Sequence, residues 1–403
     1  MKIMPSSINF SANKMSNKQA HYFEQRLKNS KHVDIVCHAS TDRDSLNSAI
    51  AMQRYLDNLS VNSRIIVSQE LNKIGVMKPD FKYIQADEIK PDSTPKDTVL
   101  CVDFSAKERV NPNVLKYINK ADNILCIDHH EGVNLFKDNY ITIKKPMEDT
   151  YKVINSTVPC YIDTSAKSAT SIIYRMFEAL RQPVSNTQAY SLMFGLVDDG
   201  AKKGYFVCDG KNGTITPTTK LVNDENAFDV YNKLNEKIND EQRKKIAKAI
   251  DIISNLTDEE RAFQKSLYDK IKLSKNKKIA YIEIPPDDPE WTKLGSDNAR
   301  TSKILNRFRQ AILNNEYHDE KLNDVVLALT FYEAEGNYRI SAHSKEPSLL
   351  DFYKYIEDTK IPDFTKNAGG HSERGGGRIR TTNKKTCHKW VKDIVSCDEF
   401  YDL

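Results

Sequence analysis

The sequence predicts an α/β protein with a parallel, doubly wound N-terminal sheet, a helical connector and a smaller α/β C-terminal domain. Two observations predict the first sheet. Short apolar runs alternate with helical patterns over roughly the first 200 residues, and the runs begin about 25 to 35 residues apart, as in βαβ units. A third observation predicts the rest, because strand-like runs resume near Lys277 after a long helical stretch.

Four apolar runs of strand length make up the predicted first sheet: Val33–Cys37, Arg64–Val67, Thr98–Val102 and Asn123–Ile127. Between the first two runs, apolar residues recur at three- and four-residue steps over residues 46–59, the pattern of an amphipathic helix. A strand, a helix and a second strand in this order form a right-handed crossover, so we expect the strands to be parallel.

The remainder of this domain is predicted to be helical and then rich in turns. Ala166–Leu180 and Asn186–Leu196 have helical patterns, and the second leads into Val197–Gly200. From Ala201 to Thr219 the chain is polar, with Asp209–Gly213 as its plainest turn signal. We interpret this segment as a solvated surface excursion, with a hairpin or a lid beside the site as the alternative.

Residues 221–276 are predicted to connect the two domains through helices rich in lysine and glutamate. Asn239–Gln242 and Thr257–Glu260 each place a capping side chain three residues before a glutamine or glutamate, which is the signature of a helix start. The predicted domains are therefore 1–220 and 277–403, with the connector between them.

Three strand-like runs and two helical patterns predict the C-terminal domain: Ile279–Ile284, Val325–Phe331 and Tyr338–Ala342 as strands, and Ser296–Leu313 and Leu349–Ile356 as helices. A glycine-rich segment, Gly369–Arg378, follows them. No Gly-Lys-Ser/Thr sequence follows a glycine-rich loop, so the chain carries no P-loop signature.

The composition is typical of a globular protein, with 39% hydrophobic and 29% charged residues among 403. A net charge of +4 and an isoelectric point of about 8.4 suit an anionic substrate but are too mild to require nucleic acid. No apolar run approaches the roughly 20 residues of a membrane-spanning helix, and Met1–Lys18 lacks the apolar core of a signal peptide. Cys37, Cys101 and Cys126 lie in apolar runs, so we expect buried thiols and a cytoplasmic protein.

Acidic and imidazole side chains follow several apolar runs. They are His38, Asp42 and Asp44 after the first run, Asp103 after the third, Asp128, His129 and His130 after the fourth, and Asp198 and Asp199 after a later one. Parallel strands end at one edge of a sheet, so four loops should bring these groups into one crevice. So many carboxylates would repel each other, and divalent cations are the simplest compensation. Oxygen-rich sites with some imidazole and no thiolate favour manganese, magnesium or a similar ion.

In this order the groups resemble the motif series of the DHH phosphoesterase superfamily: His38-x-x-x-Asp42-x-Asp44, a lone Asp103, Asp128-His129-His130, and Asp199 near a glycine. Gly369-Gly370-His371 is similar to the signature of the C-terminal DHH-associated domain of type one. The resemblance covers nearly the whole chain. It implies metal-dependent hydrolysis of phosphoester bonds, with an active site in the cleft between the two domains.

The resemblance also implies roles for the site residues. Six side chains would hold two divalent ions, expected to be manganese with magnesium or cobalt as alternatives: His38, Asp42, Asp44, Asp103, His129 and Asp199. Asp103 would bridge the ions, with a bridging water as nucleophile. Asp128 would orient the histidines, and His130 would lie nearer the substrate phosphate. Asp199 is preferred to Asp198 as the ligand.

In the C-terminal domain six residues are predicted to bind substrate: Gly369, Gly370, His371, His343, Arg374 and Arg378. The resemblance implies the first three, and the other three lie where the chain departs from the family pattern. His343 stands where the family usually has an arginine, whose two-pronged charged fork an imidazole cannot reproduce. Arg374 and Arg378 are the candidates to replace that charge. The departures leave the predicted metal chemistry intact and leave the substrate open.

We therefore expect a phosphoesterase that hydrolyses short oligonucleotides or dinucleotides to nucleoside monophosphates. One alternative is a RecJ-like exonuclease that degrades longer single-stranded DNA, and another is a cyclic dinucleotide phosphodiesterase. From a different class comes a nucleotide-binding protein that kept the fold and lost catalysis. No membrane partner is expected, and a homodimer is left open.

Overall fold

The computed structural model places most of the chain in two compact units, Met1–Asp251 and Ile252–Leu403. The residues that it describes are 15–74, 80–90, 92–95, 97–130, 160–254, 256–285, 288–289, 291, 298–334, 337–345, 352, 355–356, 368–371, 374–379 and 383–397. The first unit ends inside the predicted connector. The division at residues 220 and 276, and a cleft that holds the active site, stay predictions.

The first unit is built on six strands: β1 (His32–Val36), β2 (Asn62–Val67), β3 (Tyr83–Gln85), β4 (Thr98–Val102), β5 (Asn123–Asp128) and β6 (Cys160–Ile162). Their spatial order is β3-β2-β1-β4-β5-β6, and every pair is parallel. The predicted parallel sheet is confirmed, with β3 and β6 added at its two edges. The strand order reverses between β1 and β4, and ligands bind at such a switch point in open α/β sheets.

Five helices accompany this sheet: α1 (Asn17–Lys28), α2 (Arg43–Asn58), α3 (Pro112–Ile118), α4 (Ala169–Ala179) and α5 (Asn186–Lys202). Every residue of β4 is buried, so both faces of the sheet are covered. One face packs against α3 through Val114 and Tyr117. Helix α2 packs against β1 and β2 and also contacts α4 and α5. Strands buried on both faces appear in sequence as continuous apolar runs, which is why the pattern predicted them well.

Helix α5 differs from the prediction, and the difference matters for the site. Asp198 and Asp199 were expected to follow an apolar run at the edge of the sheet, but they lie inside α5, which continues to Lys202. The sequence prediction was wrong here because the helix predicted over Asn186–Leu196 does not end at residue 196 but continues through both aspartates. Beyond α5, β7 (Phe206–Asp209) and β8 (Thr214–Pro217) form the hairpin that was one of the alternatives.

Four helices follow the hairpin: α6 (Thr219–Val222), α7 (Glu225–Asn235), α8 (Asp240–Ser254) and α9 (Asp258–Ser266). Both predicted capping boxes are confirmed. The Gln242 amide N–H donates to Asn239 Oδ1 at 2.9 Å, and the Asn239 amide N–H donates to Gln242 Oε1 at 3.0 Å. Thr257 and Glu260 make the same reciprocal pair at the start of α9.

The second unit contains α9 and a mixed sheet, and its further described elements are β9 (Lys272–Leu273), β10 (Ile279–Ile284), α10 (Asn298–Leu313), β11 (Leu327–Ala334), β12 (Asn337–Ser344), β13 (Ala368–His371), β14 (Arg374–Ile379) and α11 (Lys384–Val395). The order is β13-β14-β12-β11-β10-β9, with β10 and β11 parallel and the other pairs antiparallel. The predicted C-terminal α/β region is confirmed. The glycine-rich segment contributes two of its strands, and the helix predicted at Leu349–Ile356 lies mostly outside the described residues.

Two further facts concern the whole described chain. None of the described helices combines the length and the apolar character that crossing a bilayer requires. All seven cysteines are free, and six of them are buried.

Candidate metal centre

Asp103 lies at the middle of the polar cluster in the first unit. It follows β4 directly, its amide N–H donates to the Ile127 carbonyl at 2.9 Å, and its side chain is buried. Its backbone has φ of 64°, a left-handed conformation that costs an L-residue roughly 1–2 kcal/mol and that aspartate tolerates better than most. Strain of this kind concentrates at functional sites, where the surrounding structure holds it in place.

Three histidines surround the Asp103 carboxylate. His38, after β1, places Nε2 3.3 Å from Oδ2. His129 Nε2 lies 3.2 Å from Oδ1, and His130 Nδ1 lies 3.6 Å from the same oxygen. Because β1, β4 and β5 are neighbours in the sheet, their ends deliver these four side chains to the switch point, as the sequence predicted.

Three groups of side chains could each hold a metal ion, with their donor atoms within 4.8 Å of one another: His38, Asp42 and Asp103; Asp44, His129 and Asp199; and Asp103, His129 and His130. The groups share Asp103 and His129, so the cations that they would hold are neighbours. His38 Nε2 and Asp103 Oδ1 are buried and have no hydrogen-bond partner among the described residues. Buried polar atoms are nearly always satisfied, so this donor set fits bound cations.

The two aspartates of the first motif lie at the start of α2. Asp42 is its N-cap and accepts from the Ser45 amide at 3.1 Å. Asp44 lies within the first turn and not in the preceding loop as predicted. Its carboxylate accepts from the Ala169 and Thr170 amides at 2.6 and 3.1 Å, where α4 begins. Helix N-termini stabilise carboxylates, so both side chains are held in place by backbone donors.

Asp44 is also an acid that a bound cation would stabilise. Burial raises its pKa well above the ordinary value, and the negative charges of Asp103 and Asp199 raise it further. A divalent ion among these carboxylates would remove that repulsion.

Asp128 organises the backbone and the ring of the two following residues. Its Oδ1 accepts from the His129 amide at 2.7 Å, the His130 amide at 3.1 Å and His130 Nδ1 at 2.7 Å, while Oδ2 accepts from Ser105 Oγ at 2.7 Å. Burial raises the pKa of Asp128, but the two imidazoles outweigh burial and hold it well below its usual range. His129 Nδ1 lies 3.3 Å from the Ala166 carbonyl, which favours the tautomer that carries its proton on Nδ1. The other ring nitrogen, Nε2, faces the Asp103 carboxylate.

The neighbouring aspartates Asp198 and Asp199 face different partners. Asp199 Oδ2 lies 3.4 Å from His129 Nε2 and belongs to one of the three groups. Asp198 Oδ1 instead accepts from Arg43 Nη1 at 3.3 Å. Arg43 therefore offsets negative charge beside the centre.

Sequence reasoning missed two cations at this site, Lys202 and Lys203. Lys202 Nζ lies 2.9 Å from Asp42 Oδ2, and Lys203 Nζ lies 2.8 Å from Asp199 Oδ2. A signal was available, because each lysine stands four residues after an aspartate. This spacing indicates ion pairs only once the segment is known to be helical, because residues four apart are neighbours on a helix surface.

The predicted substrate residues of the second unit come together on neighbouring strands. In the ladder, His343 pairs with Arg374, which pairs with His371. Gly369 and Gly370 pair with glycines of β14, and Arg378 pairs with Arg339.

A buried arginine from α10, which the sequence did not suggest, joins this region. Arg309 donates to Thr330 Oγ1 and Asn306 Oδ1. Burial, followed by the charges of Arg309 and Arg374, lowers the pKa of His343 well below its ordinary value, so the imidazole is neutral. Its Nε2 is buried without a hydrogen-bond partner among the described residues.

These features define an α/β protein with a candidate metal centre at the switch point of its parallel sheet. Residues 32–196 match the family model described as DHH family, N-terminal domain. This match to the DHH family, over the segment that carries the motifs, is what the sequence resemblance predicted. No curated protein sequence matches the chain.

Two solved structures are similar to the chain at low sequence identity. An exopolyphosphatase-related protein from Bacteroides fragilis is 14% identical with a TM-score of 0.65, over 96% of this chain and 98% of that one. RecJ from Thermus thermophilus, in complex with Mn²⁺, is 12% identical with a TM-score of 0.47, over 94% of this chain and 54% of RecJ. The first likeness extends the shared fold through both units.

Proposed function

We propose that this protein is a divalent-metal-dependent phosphoesterase that hydrolyses short oligonucleotides or dinucleotides to nucleoside monophosphates. The observation that carries the proposal is the group of histidines and aspartates around Asp103, in which donor sets for neighbouring cations share side chains. The match of residues 32–196 to the DHH family supports a phosphoester bond as the bond that is cleaved.

Six side chains would hold two ions: His38, Asp42, Asp44, Asp103, His129 and Asp199. Carboxylates and imidazoles without a thiolate suit manganese, with magnesium or cobalt as alternatives. When bound, two such ions lower the pKa of a shared water and stabilise charge on phosphoryl oxygens.

The other residues of the centre would position the reacting groups. Asp128 fixes the ring of His130 by accepting a hydrogen bond from its Nδ1–H, and His130 would lie nearer the substrate phosphate. The Ala166 carbonyl fixes His129 in the same manner for metal binding. Asp199 is supported as the ligand in preference to Asp198, because among the described residues it forms a possible donor group with Asp44 and His129 and Asp198 does not.

Recognition of the substrate is proposed for the second unit, through six residues: Gly369, Gly370, His371, His343, Arg374 and Arg378. Arg374 occupies the ladder position beside His343, where it can supply the charge that a neutral imidazole lacks. The glycines allow close approach of backbone to a phosphate or sugar. Seven free cysteines support a cytoplasmic setting.

The test is hydrolysis of a substrate panel by purified protein with Mn²⁺ or Mg²⁺. The panel contains linear dinucleotides, cyclic dinucleotides, pAp and labelled DNA of graded length. We expect turnover to be fastest with the dinucleotides and to slow sharply beyond a few nucleotides. Faster turnover of long DNA would establish the exonuclease alternative, preference for cyclic dinucleotides the phosphodiesterase alternative, and inactivity on the whole panel a silent nucleotide-binding protein.

Asp103→Asn supplies the matched loss of function. Asparagine tolerates the left-handed backbone at this position, so the substitution removes the charge without adding strain. We expect hydrolysis to fall at least about 1,000-fold while the circular dichroism spectrum is unchanged. Asp57→Asn, an exposed position in α2, is the control and should keep full activity. Full activity of Asp103→Asn contradicts the proposed centre.

A further inference from the structure

Two lysines at the end of α5 reach into the candidate metal centre. Lys202 is the last residue of the helix and Lys203 is its C-cap. They stand four residues after Asp198 and Asp199, so each lysine lies one turn beyond an aspartate on the same side of the helix. A helix C-terminus favours lysine, but that preference alone does not direct an ammonium group toward residues outside the helix.

The contacts connect both lysines to predicted metal ligands. Lys202 Nζ lies 2.9 Å from Asp42 Oδ2 and 2.5 Å from Asp198 Oδ2. Lys203 Nζ lies 2.8 Å from Asp199 Oδ2. Asp42 and Asp199 are the proposed ligands of different ions. One carboxylate from each proposed ion site is therefore already neutralised by an ammonium group of the chain itself.

We infer that Lys202 and Lys203 are internal counter-cations that compete with divalent metal for Asp42 and Asp199. The inference rests on the proposed metal-dependent function. Buried carboxylates without compensating charge are unfavourable, and the ammonium groups supply that charge when metal is absent. Metal binding would weaken or displace these ion pairs, so part of its free energy goes into that change, and the ammonium charges still repel the ions from nearby.

The chemistry of lysine suits such an exchange. An ammonium group on a flexible four-carbon stem can withdraw by changing rotamers, whereas the guanidinium of an arginine holds a carboxylate through a rigid fork. The side chains of Lys202 and Lys203 keep 26% and 14% of their surface exposed, which gives both a route toward solvent. A lysine that only anchored the end of α5 would support the ligands, and its loss would weaken metal binding.

The experiment is a titration of the protein with Mn²⁺ alone. Binding is measured by calorimetry and by electron paramagnetic resonance of the free ion. Lys202→Met and Lys203→Met keep the length of the side chain and remove its charge. We expect each variant to bind Mn²⁺ at least about tenfold more tightly than the wild type. Lys202→Arg keeps the charge in a form that withdraws less readily, so it should bind no more tightly than the wild type.

Lys245→Met is the matched control. Lys245 makes an ion pair of 2.7 Å with Glu241, four residues earlier on α8, at an exposed position with no contact to the centre. The Lys245→Met substitution removes the same charge from the same unit, so its Mn²⁺ affinity measures the effect of net charge alone. Unchanged or weaker Mn²⁺ binding by both lysine variants, relative to this control, overturns the inference.

The failure of this inference is distinguishable from failure of the proposed function. Tight Mn²⁺ binding by the wild type without hydrolysis of any substrate would reject the phosphoesterase and leave the titration interpretable. Hydrolysis by the wild type together with unchanged affinity in the variants would reject only the role of the lysines. Thermal unfolding of each variant without metal verifies that the protein titrated is folded.

Discussion

At the scale of single residues, Gly195 shows how closely the helices pack around the centre. A Cβ at this position would lie 2.5 Å from Thr170 Cγ2 and 2.7 Å from Asp44 Oδ1. Real Cβ atoms do not approach other atoms so closely. The absence of a side chain on α5 therefore allows Asp44 to receive the hydrogen bonds of α4.

Gly195→Ala should disturb the centre although residue 195 is not a ligand. We expect the free energy of unfolding to fall by about 1–3 kcal/mol, as for overpacking in a core, because Thr170 and Asp44 have to move. Mn²⁺ affinity should fall at least about tenfold in the same variant. Urea unfolding and Mn²⁺ titration measure the two effects. Thr187→Ala, exposed in the first turn of α5, is the control, and equal behaviour of the two variants would contradict the packing argument.

The sequence predicted which motif residues gather at the sheet edge, but not the contacts of each one. His38 and Asp103 follow long buried strands, so their positions could be predicted from apolar runs alone. Lys202 and Lys203 could not, because their role depends on the direction of the last turn of α5. Roles such as orientation by Asp128 stay proposals, supported by the bonds that its carboxylate accepts.

At the scale of elements, β12 places a buried histidine beside cations from two other elements. Arg374 comes from β14 and Arg309 from α10, and with burial they keep His343 uncharged. The unfolded chain releases this restraint, so its imidazole titrates near the ordinary pKa of about 6.5.

A pH dependence of stability follows from His343. Below about pH 6.5 the imidazole of His343 binds a proton in the unfolded state but not in the folded state. The contribution of His343 to the free energy of unfolding is therefore fully present above that pH and is lost as pH falls, by up to about 1.4 kcal/mol per pH unit. His343→Gln removes the titrating group. Urea unfolding between pH 7.5 and 5 should therefore show a smaller loss of stability in the variant than in the wild type. Equal losses in the two proteins would show that His343 is not held neutral.

Four strands were not predicted because their sequences lack a recognisable strand pattern, for two different reasons. β3 and β6 have three described residues each, too few for a periodic pattern. The strands β13 and β14 are rich in glycine, a residue that is depleted in strands, so the segment had been noted only as a glycine-rich signature. Both segments nevertheless form strands, because each pairs with a neighbouring strand of the sheet.

At the scale of the whole molecule, all six proposed metal ligands belong to one compact unit. His38 is the first of them and Asp199 the last, and both lie within Met1–Asp251. A ligand that binds only the folded form stabilises that form through mass action. Bound metal should therefore stabilise the first unit against unfolding, whereas the second unit carries the proposed contacts to substrate.

Hydrogen exchange should separate the two units. With free Mn²⁺ at 100 times its dissociation constant, the first unit should gain about 2.7 kcal/mol, equivalent to roughly 100-fold slower exchange of amides that open only by unfolding. We expect this slowing in β4 and β5 and none in β11 and β12. Asp103→Asn should abolish it, because that variant lacks the carboxylate shared by the donor sets. Equal slowing in both units, or slowing that survives in Asp103→Asn, would place the metal elsewhere than the edge of the parallel sheet.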